Sequence, residues 1–125
     1  MNGDKELLQL TKQLLAYNAA LSERFEKVKE SGTSGDFYRE VKPFADEVKE
    51  INDKWKTKAV KWVHANTPRN LYAGQIESAH EHMESISVQA FFPQTGRTGF
   101  INLAASSKYV LNHVIMLLTK EERES

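Results

Sequence analysis

A chain of 125 residues with 40% hydrophobic and 27% charged residues has the make-up of one ordinary globular domain, neither disordered nor fibrous. Seventeen basic residues balance seventeen acidic ones, which disfavours nucleic acid as the partner, because such binding draws its affinity from neutralised phosphates. There is no cysteine, so disulfides, thiolate catalysis and cysteine-ligated metals are excluded, and the apolar runs are far short of the roughly 20 residues of a membrane span.

The first segment, about 4–30, repeats its apolar residues at Leu7, Leu10, Leu14, Tyr17, Leu21, Phe25 and Val28, the period of a helix with one buried stripe. Lys27 and Lys29 suit the negative end of its dipole, and Gly32 is the expected stop. The second, about 36–65, opens on Asp36 as N-cap and continues through Phe37, Val41, Phe44, Val48, Ile51, Trp55, Ala59 and Trp62. Pro43 lies inside it. A proline cannot donate its N–H and crowds the preceding turn, so a kink near Pro43, or a short helix before a long one, is expected.

The third segment, about 72–91, has the weakest stripe: Ile76, His80, Met83, Ser87, Ala90 and Phe91. The fourth, about 98–120, starts with Thr98 as cap and reads Phe100, Leu103, Ser107, Val110, Val114 and Leu117, while the acidic tail 121–125 is expected to fray. No segment alternates with period two. The chain is therefore read as all-α, a single domain over 1–125, folded as an up-and-down antiparallel four-helix bundle. The basic run from Lys54 to Arg69 and the acids Glu77, Glu81 and Glu84 are expected to face each other across the second and third helices.

The segment Asp36-Phe37-Tyr38, the Val41-Lys42-Pro43 step, the surroundings of Trp55, Pro68 and Gln75-Ile76-Glu77 make the chain similar to the YppE-like family of small proteins from Bacillus, Listeria and relatives. The resemblance covers about two-thirds of the chain; the first helix and the loop around Gly96 match only in type. What it implies is a cytoplasmic four-helix bundle without an assigned biochemical function or any catalytic or ligand residue to carry over.

Nearest to metal chemistry is Glu77-Ser78-Ala79-His80, because a carboxylate and an imidazole three residues apart share one helix face. A di-metal bundle needs a second such pair, and Val110 stands where the glutamate before His113 belongs. Glu23 and Glu47 lie off the apolar stripes, and His80 and His82, two residues apart, point about 200° from each other. A histidine hydrogen-bonded to a neighbour explains the same letters, and His64 reads as a helix C-terminal cap.

Thr95-Gly96-Arg97-Thr98-Gly99 leads into a helix N-terminus, which attracts anions, but it lacks the phosphate-loop lysine and a preceding strand. No Gly-x-Ser-x-Gly elbow occurs, so nucleophilic catalysis has no support, and no cofactor is expected. Lys54, Lys58 and Lys61 form a basic ridge beside Trp55 and Trp62, yet those rings belong to the inward stripe, so base stacking is disfavoured.

The reading is a non-enzymatic cytoplasmic interaction bundle with a protein partner, a homodimer being its simplest form, and no membrane association. A metal- or small-ligand site at Glu77 and His80 is the alternative. The partner surface is assigned to Lys54, Lys58 and Lys61 together with Ile86, Val88 and Phe92.

Overall fold

The computed structural model describes residues 2–124, and the side chains of residues 3–120. It contains α1 (Asn2–Ser31), a single π-helical turn (Phe37–Val41), α2 (Lys42–Asn66), α3 (Ala73–Gln89) and α4 (Arg97–Glu124), with no strand among the described residues. The expected fraying at 121–125 concerns residues whose side chains lie outside the described ones.

Cross-helix bonds give the packing directly. Thr11 meets Trp55, Tyr17 meets Glu47 and Arg24 meets Glu40, so the chain descends α2 as α1 climbs. Asp53 with His80 and Lys49 with Glu84 repeat that opposition between α2 and α3. Asn18 reaches Ala104 and Ser107 while Glu26 pairs with Arg97, so α1 and α4 are antiparallel as well. This is an all-α, up-and-down four-helix bundle. Its core runs the length of the molecule, from Leu7, Trp62 and Leu71 at one end to Phe25, Phe91 and Phe100 at the other.

Local chemistry explains the joints. Gly32 adopts φ 69°, and its N–H closes onto the Val28 carbonyl, ending α1 in the left-handed conformation that a side chain resists. Gly35 answers to a different constraint: its N–H donates to the Phe91 carbonyl, and a Cβ there would stand 3.1 Å from both the Phe91 ring and Val41. The Asp36 carboxylate accepts from the Arg39 N–H at 2.9 Å. As the second expectation for Pro43 has it, a short helical turn precedes a long helix, and Pro43 occupies the first turn of that long helix, α2. The turn ahead of it widens, so that Val41 N–H bonds the Asp36 carbonyl and Lys42 N–H that of Phe37, each five residues back.

Helix four begins one residue earlier than expected. Gly96 supplies the first carbonyl, accepting from Phe100 N–H, so Thr98 lies inside the first turn and is not the cap.

Buried polar groups stitch the helices together. The Trp55 Nε1–H donates to Thr11 Oγ1 at 3.0 Å, and the Thr11 hydroxyl in turn donates to the Leu7 carbonyl. The Asn18 amide donates to the Ala104 carbonyl and Ser107 Oγ, and Asn52 donates to the His80 carbonyl at 2.8 Å. Each such bond is worth about 0.5–1.5 kcal/mol net and far more to leave unmade in the interior.

At the α1–α2 edge, half-buried Tyr17 donates its hydroxyl to Glu47 at 2.7 Å. Burial first, then the Glu47 carboxylate, pushes its pKa up to about 12 from 10.0. The folded value is the higher one, so this stabilisation is complete below pH 10 and disappears as pH rises through about 12. Alkaline titration at the tyrosinate absorption band should reveal a group near pH 12 that Tyr17→Phe lacks. Over the same interval wild-type stability should fall more steeply than that of the variant, and parallel losses would contradict the assignment.

Candidate functional site

Two regions combine chemistry with access: a titratable group between α2 and α3, and the outward face of α4.

In the first, His80 and Glu84 stand one turn apart on α3, opposite Asp53 and Lys49 one turn apart on α2. His80 Nε2 lies 2.7 Å from Asp53 Oδ1, Lys49 Nζ lies 2.8 Å from Asp53 Oδ2, and Lys49 Nζ lies 3.9 Å from Glu84. The imidazole is nearly enclosed, its side chain only 12% exposed, whereas Lys49 is 60% exposed. The Lys49 ammonium, and after it His80, hold the Asp53 carboxyl below the usual carboxylate range. Asp53 in turn holds Lys49 protonated to higher pH than usual.

Sequence spacing joined His80 to Glu77, and the fold joins it to other carboxylates. Glu77 is exposed on α3, whereas the cluster of potential ligand atoms among the described residues is Asp53, His80 and Glu84. His82 and His113 stand outside it, each with a buried Nδ1 that lacks a partner. His64 is exposed, and the end of α2 is closed instead by Thr67, at φ 41°, donating its N–H to the Val63 carbonyl.

The expected meeting of basic and acidic blocks takes a different form. Lys54 pairs within its own helix with Glu50, and Lys58 turns to Glu6 on α1. Of the acids of α3, Glu84 is met by Lys49, which precedes the basic block. The lysines at 54, 58 and 61 recur on one face of α2, and the carboxylates that meet Lys54 and Lys58 lie on α2 itself and on α1.

Trp55 and Trp62 are enclosed, at 0% and 7% exposure, leaving the lysine ridge without stacking rings. The loop before α4 offers anions little: Thr95 Oγ1 donates to the Gln89 carbonyl, and Arg97 pairs with Glu26 beside the Phe25 ring.

The proposed partner surface on α3 also needs correction. Ile86 is completely buried and Phe92 half-buried against the core, so of the three apolar residues only Val88 is exposed. The stripe of α3 is centred on Ile76, Ala79, Met83 and Ile86, a phase that its many small and polar residues obscured.

Exposed large apolar side chains recur on α4 at Ile101, Tyr109 and Met116, with others at Phe37 and Tyr38 in the π-helical turn, at Tyr72 and at Val88. Opposite the buried Phe100, Ala104, Ser107, Leu111, Val114 and Leu118, the outer stripe presents Ile101, Ala105, Lys108, Tyr109, Asn112 and Met116. Lys108 is the sole charge between Arg97 and Lys120, whereas α2 mixes lysine with aspartate and glutamate as far as Asp53 and carries only lysines from Lys54 to Lys61. Shallow grooves flank this ridge. One, of about 470 Å³ against α1, is lined by Ala19, Ser22, Phe25, Phe100 and Ala105. The other, of about 500 Å³ against α3, is lined by Gly74, Ser78, Ser106 and Tyr109.

Comparison with known proteins agrees with the fold and carries no chemistry. Residues 11–117 match the family described as "Bacterial domain of unknown function (DUF1798)". A crystal structure of a protein of unknown function from Listeria innocua is 31% identical, covers 97% of both chains and superposes with a TM-score of 0.92. The crystal structure of YppE from Bacillus subtilis, 23% identical over 95% of this chain and 97% of its own, gives 0.90. By sequence, the uncharacterized YppE aligns over 93% of this chain and 94% of its own length.

Proposed function

Because the chain belongs to the DUF1798 family, whose domains have no assigned function, kinship supplies no reaction, and we propose that it is a non-enzymatic interaction bundle that pairs with a second copy through the outer face of α4. The observation that carries this reading is the exposed stripe from Ile101 to Met116, in which Lys108 is the sole charge. A cysteine-free chain suits a reducing cytoplasm, which belongs to the same reading.

The stripe is self-complementary. Two copies of α4 crossing antiparallel about a two-fold axis between residues 108 and 109 bring Ile101 against Met116 and Ala105 against Asn112 of the second copy. Lys108 then meets the Tyr109 ring of the second copy, a cation–π contact made twice. The flexible Met116 suits the small-residue groove beside Phe25 and Phe100. From Ile101 to Met116 the helix runs about 23 Å, and with a width of about 10–12 Å it covers a few hundred Å² per copy. That is below the roughly 800 Å² of a standard interface, so the dimer is weak and concentration-dependent.

Sedimentation equilibrium between about 10 and 500 μM, a range suited to such a small interface, is the direct test. Wild type should rise toward twice its monomer mass, Ile101→Glu and Tyr109→Glu should stay monomeric, and Lys54→Glu on α2 should behave as wild type. A wild-type chain that remains monomeric throughout, or a dimer indifferent to both α4 substitutions, refutes the proposal.

A further inference from the structure

The group between α2 and α3 carries an inference independent of the α4 face. We infer that Asp53, His80 and Glu84 form a binding site for a zinc-class divalent cation, and that Lys49 is the resident cation which the metal displaces.

One ligand atom from each of the three residues lies within 4.8 Å of the others. Zinc bonds of about 2.0–2.2 Å place tetrahedral ligands roughly 3.3–3.6 Å apart, so closure requires an adjustment on the order of 1 Å. Helix spacing favours it, since His80 and Glu84 one turn apart share a face and Asp53 stands across from them. One imidazole nitrogen with two carboxylate oxygens suits zinc or cobalt better than calcium or magnesium, which take oxygen ligands. Three protein ligands leave a fourth position open to water or a small ligand.

Part of the site is held in advance. Asn52, buried beside Asp53, donates to the His80 carbonyl at 2.8 Å and clamps α3 to α2 at the level of the imidazole. His80 is itself nearly enclosed, so it loses little side-chain freedom on ligation.

Lys49 separates this reading from an ordinary surface ion-pair network. Its ammonium lies against Asp53 and near Glu84, the position a dication would neutralise. At 60% exposure it swings into water at small cost. Lysine and metal therefore compete for the same carboxylates.

Tag-free, metal-stripped protein is titrated with Zn2+ by calorimetry and with Co2+ by visible absorption, near neutral pH. The expected result is one ion per chain, with the visible bands of four-coordinate cobalt and a metal-dependent rise in melting temperature. His80→Ala should abolish the bands, and Glu84→Gln should weaken binding about tenfold or more. Lys49→Ala should tighten binding several-fold, the reverse of what loss of a merely structural ion pair would do. Circular dichroism establishes that each variant is folded. The inference is overturned by binding well below one ion per chain, by bands that survive in folded His80→Ala, or by Lys49→Ala affinity equal to or weaker than wild type. None of these outcomes bears on self-association, which is read by sedimentation without metal.

Discussion

Truncating Trp55 to alanine is expected to lower the unfolding free energy by about 3–5 kcal/mol, a large share of the 5–15 kcal/mol that such a domain possesses. The indole is completely enclosed, and it joins α2 to α1 by a hydrogen bond to Thr11 as well as by packing. Alanine leaves a void where the ring stood, and rigidly paired helices close such a void only in part. The Thr11 hydroxyl loses a donor but keeps its own bond to the Leu7 carbonyl, so most of the loss is cavity and apolar burial. Trp55→Phe separates the contributions: it keeps most of the contact, forfeits the N–H, and should cost about 1–2 kcal/mol. Urea unfolding followed by far-ultraviolet circular dichroism measures both variants. A Trp55→Ala penalty under about 1 kcal/mol, the size of an ordinary substitution, is incompatible with an enclosed ring.

Glutamate at position 86 and glutamate at position 88 should have opposite consequences, although the residues are two apart on one helix. Ile86 is 0% exposed and Val88 42%. A step of two residues turns about 200° around the axis, from the core to the solvent. Ile86→Glu drives an unpaired carboxylate into the apolar centre, a penalty of about 4 kcal/mol or more that should abolish cooperative folding. Val88→Glu should stay within about 0.5 kcal/mol of wild type. Thermal melts with one-dimensional proton spectra distinguish the two. Equal tolerance at both positions would mean that α3 is rotated from the orientation described.

The same pair marks where sequence reading loses its grip on the site. Helix three is short of large apolar residues and carries Ser87 on its inward side, so its periodicity leaves the phase of the buried stripe loosely defined. Ile86 therefore passed for surface. The partner of His80 was missed for another reason. On a single helix, spacing places both Glu77 and Glu84 near the imidazole, one turn to either side. The choice between them, and the recruitment of Asp53 and Lys49, depend on how far α2 has slid along α3. A usable signal was present in the Lys49 and Asp53 spacing on α2, which matches that of His80 and Glu84 on α3.

By itself the sequence determined what is local in this protein. Four helices, the stops at Gly32 and after Trp62, the Asp36 cap, the disturbance at Pro43 and the inward course of Trp55 and Trp62 all follow from turn chemistry and a period of 3.6 residues. Tertiary structure alone decided what lies between helices: the carboxylates that gather around His80, the turn of Lys58 toward Glu6, the burial of Ile86 and the bare outer face of α4. The division has one physical cause. Backbone geometry repeats within a segment and is written in neighbouring residues, whereas the offset and rotation of one helix against another are set by the packing of all the side chains between them.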